Sequence, residues 1–244
     1  MKKIYVVGLG PGARKQMTGE AYTALEQSEI IVGYPVYLDL IRDTFPDKIY
    51  KSTPMKQEVE RCRMAFGEAM QGKTTAMVCS GDAGVYGMAG LMLQIGSEFP
   101  ELDVEIVPGI TAAIGGAAVL GAPLMHDFAV ISLSDLMTPW DKIEIRLRAA
   151  AMADFVICLY NPSSKKRSDY LKKACKIMKE FKKPETICGL VRNIGRKEET
   201  SQILTLEELE HTETDMFTTV FIGNVQTMCL NHKMVTPRGY NVTR

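Results

Sequence analysis

Lys3-Ile4-Tyr5-Val6-Val7-Gly8-Leu9-Gly10-Pro11-Gly12-Ala13 is a short apolar run, rich in valine and isoleucine, that stops at a cluster of glycines. It reads as a β-strand with a tight turn at its carboxyl end. Downstream, Thr18 to Ser28 reads as a helix with Thr18 as N-cap, so the chain opens on a strand–turn–helix unit. Further strands are expected at 30–33, 75–79, 104–107, 128–133, 155–160, 186–191 and 216–222. Helical patterns lie at 56–71, 110–120, 143–152, 167–181 and 205–210, and Thr205 with Glu208 fits a capping box. This alternation argues for an α/β architecture with largely parallel sheets. Gly121-Ala122-Pro123-Leu124 follows a small-residue helix that glycine and proline would end, and predicts two α/β domains, 1–121 and 122–244.

Bulk composition excludes more than it selects. The 244 residues are 46% hydrophobic and 24% charged, with Lys plus Arg equal to Asp plus Glu at 29 each. A balanced charge argues against a nucleic-acid or membrane-surface protein, so an anionic ligand must be met by local basic clusters. The start lacks the long apolar region and cleavage site of a secretory signal. No segment approaches the ~18 apolar residues of a membrane span, and a cytoplasmic protein is expected. Cys62, Cys79, Cys158, Cys175, Cys188 and Cys229 are scattered without a CxxC pair and are expected as reduced thiols. Three scattered histidines argue against a dedicated metal site.

Gly8-Leu9-Gly10-Pro11-Gly12-Ala13 formally satisfies the dinucleotide pattern G-x-G-x-x-G/A after a strand. A dinucleotide loop presents backbone N–H groups to a pyrophosphate, and Pro11 has none. The end of the second strand, Val32-Gly33-Tyr34-Pro35, lacks the carboxylate that would hold ribose hydroxyls. A structural turn and a ligand loop both remain open at this motif, and the nicotinamide reading is disfavoured.

Four other patches of small, turn-forming residues stand at the ends of expected strands. They are Ser80-Gly81-Asp82-Ala83-Gly84-Val85-Tyr86-Gly87, Val107-Pro108-Gly109-Ile110-Thr111-Ala112-Ala113, Leu159-Tyr160-Asn161-Pro162, and Gly189-Leu190-Val191-Arg192-Asn193-Ile194-Gly195-Arg196. Ligands of open α/β sheets bind outside the carboxyl ends of strands, and small residues let a backbone approach them closely.

The GxGPG start, the SGDxGVYG run, the PGITAA run and the late VRNxGR run occur in the order of the tetrapyrrole (uroporphyrinogen and corrin) methyltransferases, and the chain resembles that family over almost its whole length. Leu120 to Phe128, Ser132 to Asp135, Thr138-Pro139-Trp140 and Leu159 to Ser164 resemble the branch that methylates a corrin precursor at C17 with ring contraction. The resemblance implies a two-domain α/β enzyme of the tetrapyrrole methylase type, usually a homodimer, with S-adenosylmethionine in a cleft between domains. It places Pro11, Gly81, Asp82, Val85, Thr111, Ala112, Tyr160 and Val191 at the cofactor. The tetrapyrrole substrate would be a flat macrocycle fringed with carboxylates, beside Gly10 and Gly12, with Arg14, Lys15, Arg192 and Arg196 as candidate receptors.

Ring contraction calls for a base that deprotonates a hydroxyl at the extruded carbon. His126 is the first candidate, flanked by Asp127, which could orient it or cap a strand end. Asp135, in a polar loop, is either a further catalytic candidate or a turn former. His211 and His232 read as solvent-facing, Trp140 as packing a helix start, and Lys165-Lys166-Arg167 and Lys172-Lys173 as exposed helix faces.

Overall fold

The computed structural model describes residues 2–164 and 168–241; the Lys165-Lys166-Arg167 run therefore lies outside the described residues. The chain forms two compact units, one ending at Ala112 and the other beginning at Ala113.

The first unit alternates β1 (Lys2–Gly8), α1 (Gly19–Gln27), β2 (Ile30–Gly33), α2 (Pro35–Leu38), β3 (Ile49–Ser52), α3 (Glu58–Met70), β4 (Thr75–Cys79), α4 (Ala89–Gly96) and β5 (Leu102–Val107). Its sheet runs β3-β2-β4-β1-β5 with every pairing parallel. Strands β2 and β4 are buried at every residue, as expected of a parallel sheet covered on both faces. The two-residue alternation divides β1 between two cores. Ile4 and Val6 pack with Phe66 and Ala69 of α3 and Met92 of α4, while Tyr5 and Val7 pack with Ala21 and Leu25 of α1. Because all five strands run the same way, their carboxyl ends and the loops that follow share one edge of the sheet.

The second unit carries α5 (Ala112–Leu120, which begins one residue before it), β6 (Gly121–Ala122), β7 (Phe128–Ser132), α6 (Trp140–Met152), β8 (Val156–Tyr160), α7 (Tyr170–Met178), β9 (Ile187–Arg192), β10 (Thr200–Thr205), α8 (Leu206–Glu210), β11 (Thr218–Ile222), β12 (Met228–Leu230) and β13 (Lys233–Val235). Its main sheet runs β10-β9-β11-β8-β7, and only β7–β8 is parallel. The expectation of largely parallel sheets holds in the first unit and fails here. Asn193, Gly195 and Glu198 take left-handed backbone in the loop after β9 and turn the chain straight back as β10, with no crossover helix.

The division between units lies ahead of α5 rather than behind it at Gly121. A Cβ on Gly116 would stand 2.8 Å from Cζ of Phe221 in β11, and one on Gly189 in β9 would stand 2.6 Å from Cδ1 of Leu120. Helix α5 is thus seated in the core of the second unit.

The two caps read from sequence are formed. Thr18 Oγ1 accepts from Ala21 N at 3.1 Å, and Thr205 and Glu208 complete the capping box of α8. Among the described residues, no helix is long and apolar enough to cross a membrane.

Cys62, Cys79, Cys158, Cys175 and Cys188 are buried and Cys229 is exposed. Burial disfavours the thiolate, pushing Cys62 up to about 11 and Cys79 and Cys158 up to about 12. At pH 8 these three are therefore protonated as well as shielded. A disulfide-exchange reagent at pH 8 should titrate Cys229 quickly and the buried thiols only in denaturant. A second fast thiol in the native protein would show that one of these cores opens readily.

Candidate functional site

Three strand ends of the first unit meet backbone to backbone. A Cβ on Gly8 would stand 2.7 Å from both Gly109 N and Gly81 O, and one on Gly109 would stand 2.2 Å from Gly81 O. No side chain fits at Gly8 or Gly109, so glycine is dictated by the approach of main chains. Gly10 and Gly81 then bridge, with Gly10 N donating to Gly81 O at 3.0 Å and Gly81 N to Gly10 O at 2.8 Å. Gly10 holds φ +75°, and a Cβ there would meet Gln16 O at 2.6 Å. The motif that resembles a dinucleotide loop is therefore a junction between strands β1, β4 and β5.

Asp82 secures this junction. Its Oδ1 accepts from Gly84 N at 2.8 Å and Val85 N at 3.1 Å, and its Oδ2 accepts from Gly109 N at 2.9 Å. One carboxylate thus shapes the loop after β4 and ties it to the loop after β5. Thr18 adds a second tie, its hydroxyl donating to Pro108 O at 3.2 Å. The sequence candidates Gly10, Gly81, Asp82 and Thr111 are brought together, since the Cβ position of Gly81 lies 3.6 Å from Thr111 Cα. Pro11 is buried at the bend, Gly12, Val85 and Ala112 are half-buried, and Arg14 and Lys15 are exposed. The Arg14 guanidinium lies 5.4 Å from the Tyr22 ring centroid.

In the second unit Tyr160 ends β8, and its hydroxyl accepts from Ala113 N at 2.6 Å, satisfying an amide at the start of α5. Asn161 follows with φ 53°, donating through Nδ2 to Ser132 Oγ at 2.9 Å. Val191 is buried within β9, paired with Ser201 and Thr219. Arg192 donates from Nε to Asp215 Oδ2 at 2.7 Å, and the Arg196 guanidinium lies 5.4 Å from the Phe217 ring. Both arginines therefore have partners already.

The candidate bases do not converge. Ser132 is in register with Tyr160 and Phe128 with Val156, so the two ends of β7 are two different edges of the sheet. Asp135 follows the carboxyl end of β7, on the edge of Tyr160 and Asn161, where its Oδ2 accepts from Tyr170 at 2.7 Å. His126 and Asp127, both exposed, precede the amino end of β7, and Asp127 O accepts from Val156 N at 3.2 Å. Phe128 and Ser132 are about 13 Å apart at the usual strand rise, so His126 and Asp135 leave β7 from well-separated ends. Sequence reasoning did not separate them because the eight positions between them carry no sign of which edge each occupies. Trp140 opens α6 and packs against Tyr170, with ring centroids 4.6 Å apart.

The profile of the tetrapyrrole (corrin/porphyrin) methylases matches residues 3–210. A Salmonella typhimurium protein named "Probable cobalt-factor III C(17)-methyltransferase" is 46% identical over 239 residues, spanning 97% of this chain and 99% of its own length. A Sinorhizobium precorrin-3B C(17)-methyltransferase is 37% identical over 246 residues, spanning 97% of this chain and 96% of its own length. The crystal structure of the methyltransferase CobJ matches with a TM-score of 0.89 at 34% identity, covering 97% of this chain and 100% of that one.

Removing the Asp82 carboxylate leaves three N–H groups to find other acceptors. Asp82→Ala should lower unfolding free energy by about 2 kcal/mol in a urea melt. A change below about 0.5 kcal/mol would mean that water replaces the carboxylate and that the glycine contacts alone hold the loops.

Proposed function

The chain belongs to the tetrapyrrole (corrin/porphyrin) methylases, and on that footing we propose that it transfers a methyl group from S-adenosylmethionine to C17 of cobalt-factor III or precorrin-3B, with ring contraction, in cobalamin biosynthesis. The observation that carries the reading is the 46% identity to a C17-methyltransferase across 97% of this chain and 99% of the relative. Assembly as a homodimer belongs to the same reading.

The loops of the first unit suit a nucleoside–amino acid cofactor. At the junction itself their surface is backbone, because Gly8 and Gly109 leave no room for a Cβ and Gly81 holds φ +69°. The residues proposed to contact the cofactor are Pro11, Gly81, Asp82, Val85, Thr111 and Ala112, together with Tyr160 and Val191. Asp82 acts through the shape of its loop, since its carboxylate is spent on three backbone amides. Tyr160 acts likewise through the start of α5.

When bound, S-adenosylmethionine supplies an electrophilic methyl on a sulfonium whose charge disappears as the carbon–carbon bond forms. The protein's work in such a displacement is alignment, which by itself supplies several kcal/mol. Rigid loops tied by Asp82 and by the Gly10–Gly81 bridge provide it. Gly10 and Gly12 would lie against the macrocycle, with the exposed cations Arg14, over the Tyr22 ring, and Lys15 to meet its carboxylates. Arg192 and Arg196 would have to exchange or share their present partners to do so.

For the hydroxyl deprotonation of ring contraction, the edge shared with Tyr160 favours Asp135 over His126 and Asp127. Its Oδ2 accepts from Tyr170, which orients the carboxylate, and an oriented carboxylate is a group able to act as general base.

Anaerobic incubation with S-adenosylmethionine and either cobalt-factor III or precorrin-3B, followed by mass spectrometry and NMR, should show a gain of one methyl at C17. Methylation at another carbon would reassign the enzyme to a sibling step; no gain on either macrocycle would sink the reading. Asp135→Asn should retain cofactor affinity and accumulate methylated, uncontracted material, while His126→Ala should still contract the ring. The reverse pattern would move the base to His126.

A further inference from the structure

Tyr86 combines two features that are each unusual for an aromatic residue. Its backbone lies in the left-handed region at φ 53°, which is unfavourable for a bulky side chain. Its ring is also 58% exposed. The other aromatics exposed to a comparable degree, Phe128, Phe155, Phe181, Phe217 and Tyr240, all have ordinary negative φ. Among the described phenylalanines, tyrosines and tryptophan, Tyr86 alone combines an unfavourable backbone with an outward ring.

The loop beneath it is rigid. Asp82 fixes Gly84 N and Val85 N, Ala89 N donates to Ala83 O at 2.9 Å, and Met88 N donates to Cys79 Sγ at 3.3 Å. Gly87 closes the turn so tightly that a Cβ there would stand 2.4 Å from Ala83 O. Residues 82 to 89 therefore form a pedestal with Tyr86 at its exposed point. The pedestal follows β4, on the same sheet edge as the loop after β1, and the Gly10–Gly81 bridge joins the two loops. That neighbouring loop presents Arg14 and Lys15, both exposed. One edge thus offers an aromatic face held by a strained backbone, with cations on the adjoining loop. Such a strained, over-determined residue in a ligand loop is where function commonly accounts for the strain.

We propose that the ring of Tyr86 is the platform on which the flat, conjugated macrocycle stacks, with Arg14 and Lys15 receiving its peripheral carboxylates. This inference rests on the reading of a tetrapyrrole as substrate. Stacking makes a sequence-independent use of a π-face, and an aromatic contact of this kind with its buried area is worth about tenfold in affinity.

The test is anaerobic titration of the full-length protein with cobalt-factor III, followed by its visible absorbance, beside calorimetry with S-adenosylmethionine. Tyr86→Ala should weaken macrocycle binding about tenfold, Tyr86→Phe should stay within about twofold, and cofactor affinity should not change in either. Tyr86→Gly should raise the melting temperature, because glycine adopts the left-handed backbone freely, while weakening the macrocycle as alanine does. If Tyr86→Ala does not fold, Tyr86→Leu keeps the bulk without the π-face and should show the same weakening. Wild-type affinity in the alanine or leucine variant overturns the proposal, as does an equal loss of macrocycle and cofactor, which would make Tyr86 a shaper of the loop. Failure of the wild-type protein to bind the macrocycle overturns the substrate reading itself and this inference with it.

Discussion

The candidate site depends on one contact, the meeting of main chains at Gly8, Gly81 and Gly109. Three strand ends approach so closely that a Cβ on Gly109 would stand 2.2 Å from a carbonyl oxygen. Backbone packed at that distance cannot relax as a flexible side chain can, so the geometry of the loops after β1, β4 and β5 is inherited from the sheet. Asp82 converts this proximity into rigidity. Two of its three bonds shape the loop after β4, the third links that loop to the one after β5, and the Gly10–Gly81 bridge links it to the one after β1.

Rigidity of this kind fits the chemistry assigned to the family. Methyl transfer asks for orientation more than for acid–base machinery, and a surface of backbone and small residues can hold a ligand closely without reacting with it. The same logic explains the division of labour between charged groups. With 29 basic and 29 acidic residues, the chain has no net field to draw in an anionic substrate. Under the proposed function, recognition of a carboxylate-fringed substrate falls to cations placed locally. Arg14, over the Tyr22 ring, and Lys15 are exposed on the loop after β1, whereas Arg192 is paired with Asp215 and Arg196 lies over Phe217.

The second unit contributes through a different device. Tyr160 spends its hydroxyl on the amide of Ala113, so the end of β8 and the start of α5 are positioned together. The parallel register of β7 with β8 then decides which polar residues can cooperate. Asp135 and Asn161 share the Tyr160 edge, and His126 is left at the opposite edge. A histidine beside an aspartate is a natural candidate for a base in a linear sequence. Its standing changes once the strand between it and the other candidates has a direction and a length.

What the sequence determined by itself is what local physics controls. Continuous apolar runs at Ile30–Gly33 and Thr75–Cys79 marked strands whose bounds match the structure, because a buried parallel strand needs no partner to show its pattern. Thr18 and Thr205 marked helix starts, because a cap is made within four residues. The glycine- and aspartate-rich patches marked the ends of strands, and their order carried the family. Tertiary structure alone decided the rest. Helix α5, Ala-Ala-Ile-Gly-Gly-Ala-Ala-Val-Leu, has no polar face, so its periodicity could not say which unit would bury it. Ile49–Ser52 and Thr200–Thr205 are strands at sheet edges, too exposed for apolar patterning to reveal them. The antiparallel course of β9 and β10, the inward turn of the Asp82 carboxylate and the separation of His126 from Asp135 all depend on pairings between distant residues. Strand register sets these, and no window of neighbouring residues contains it.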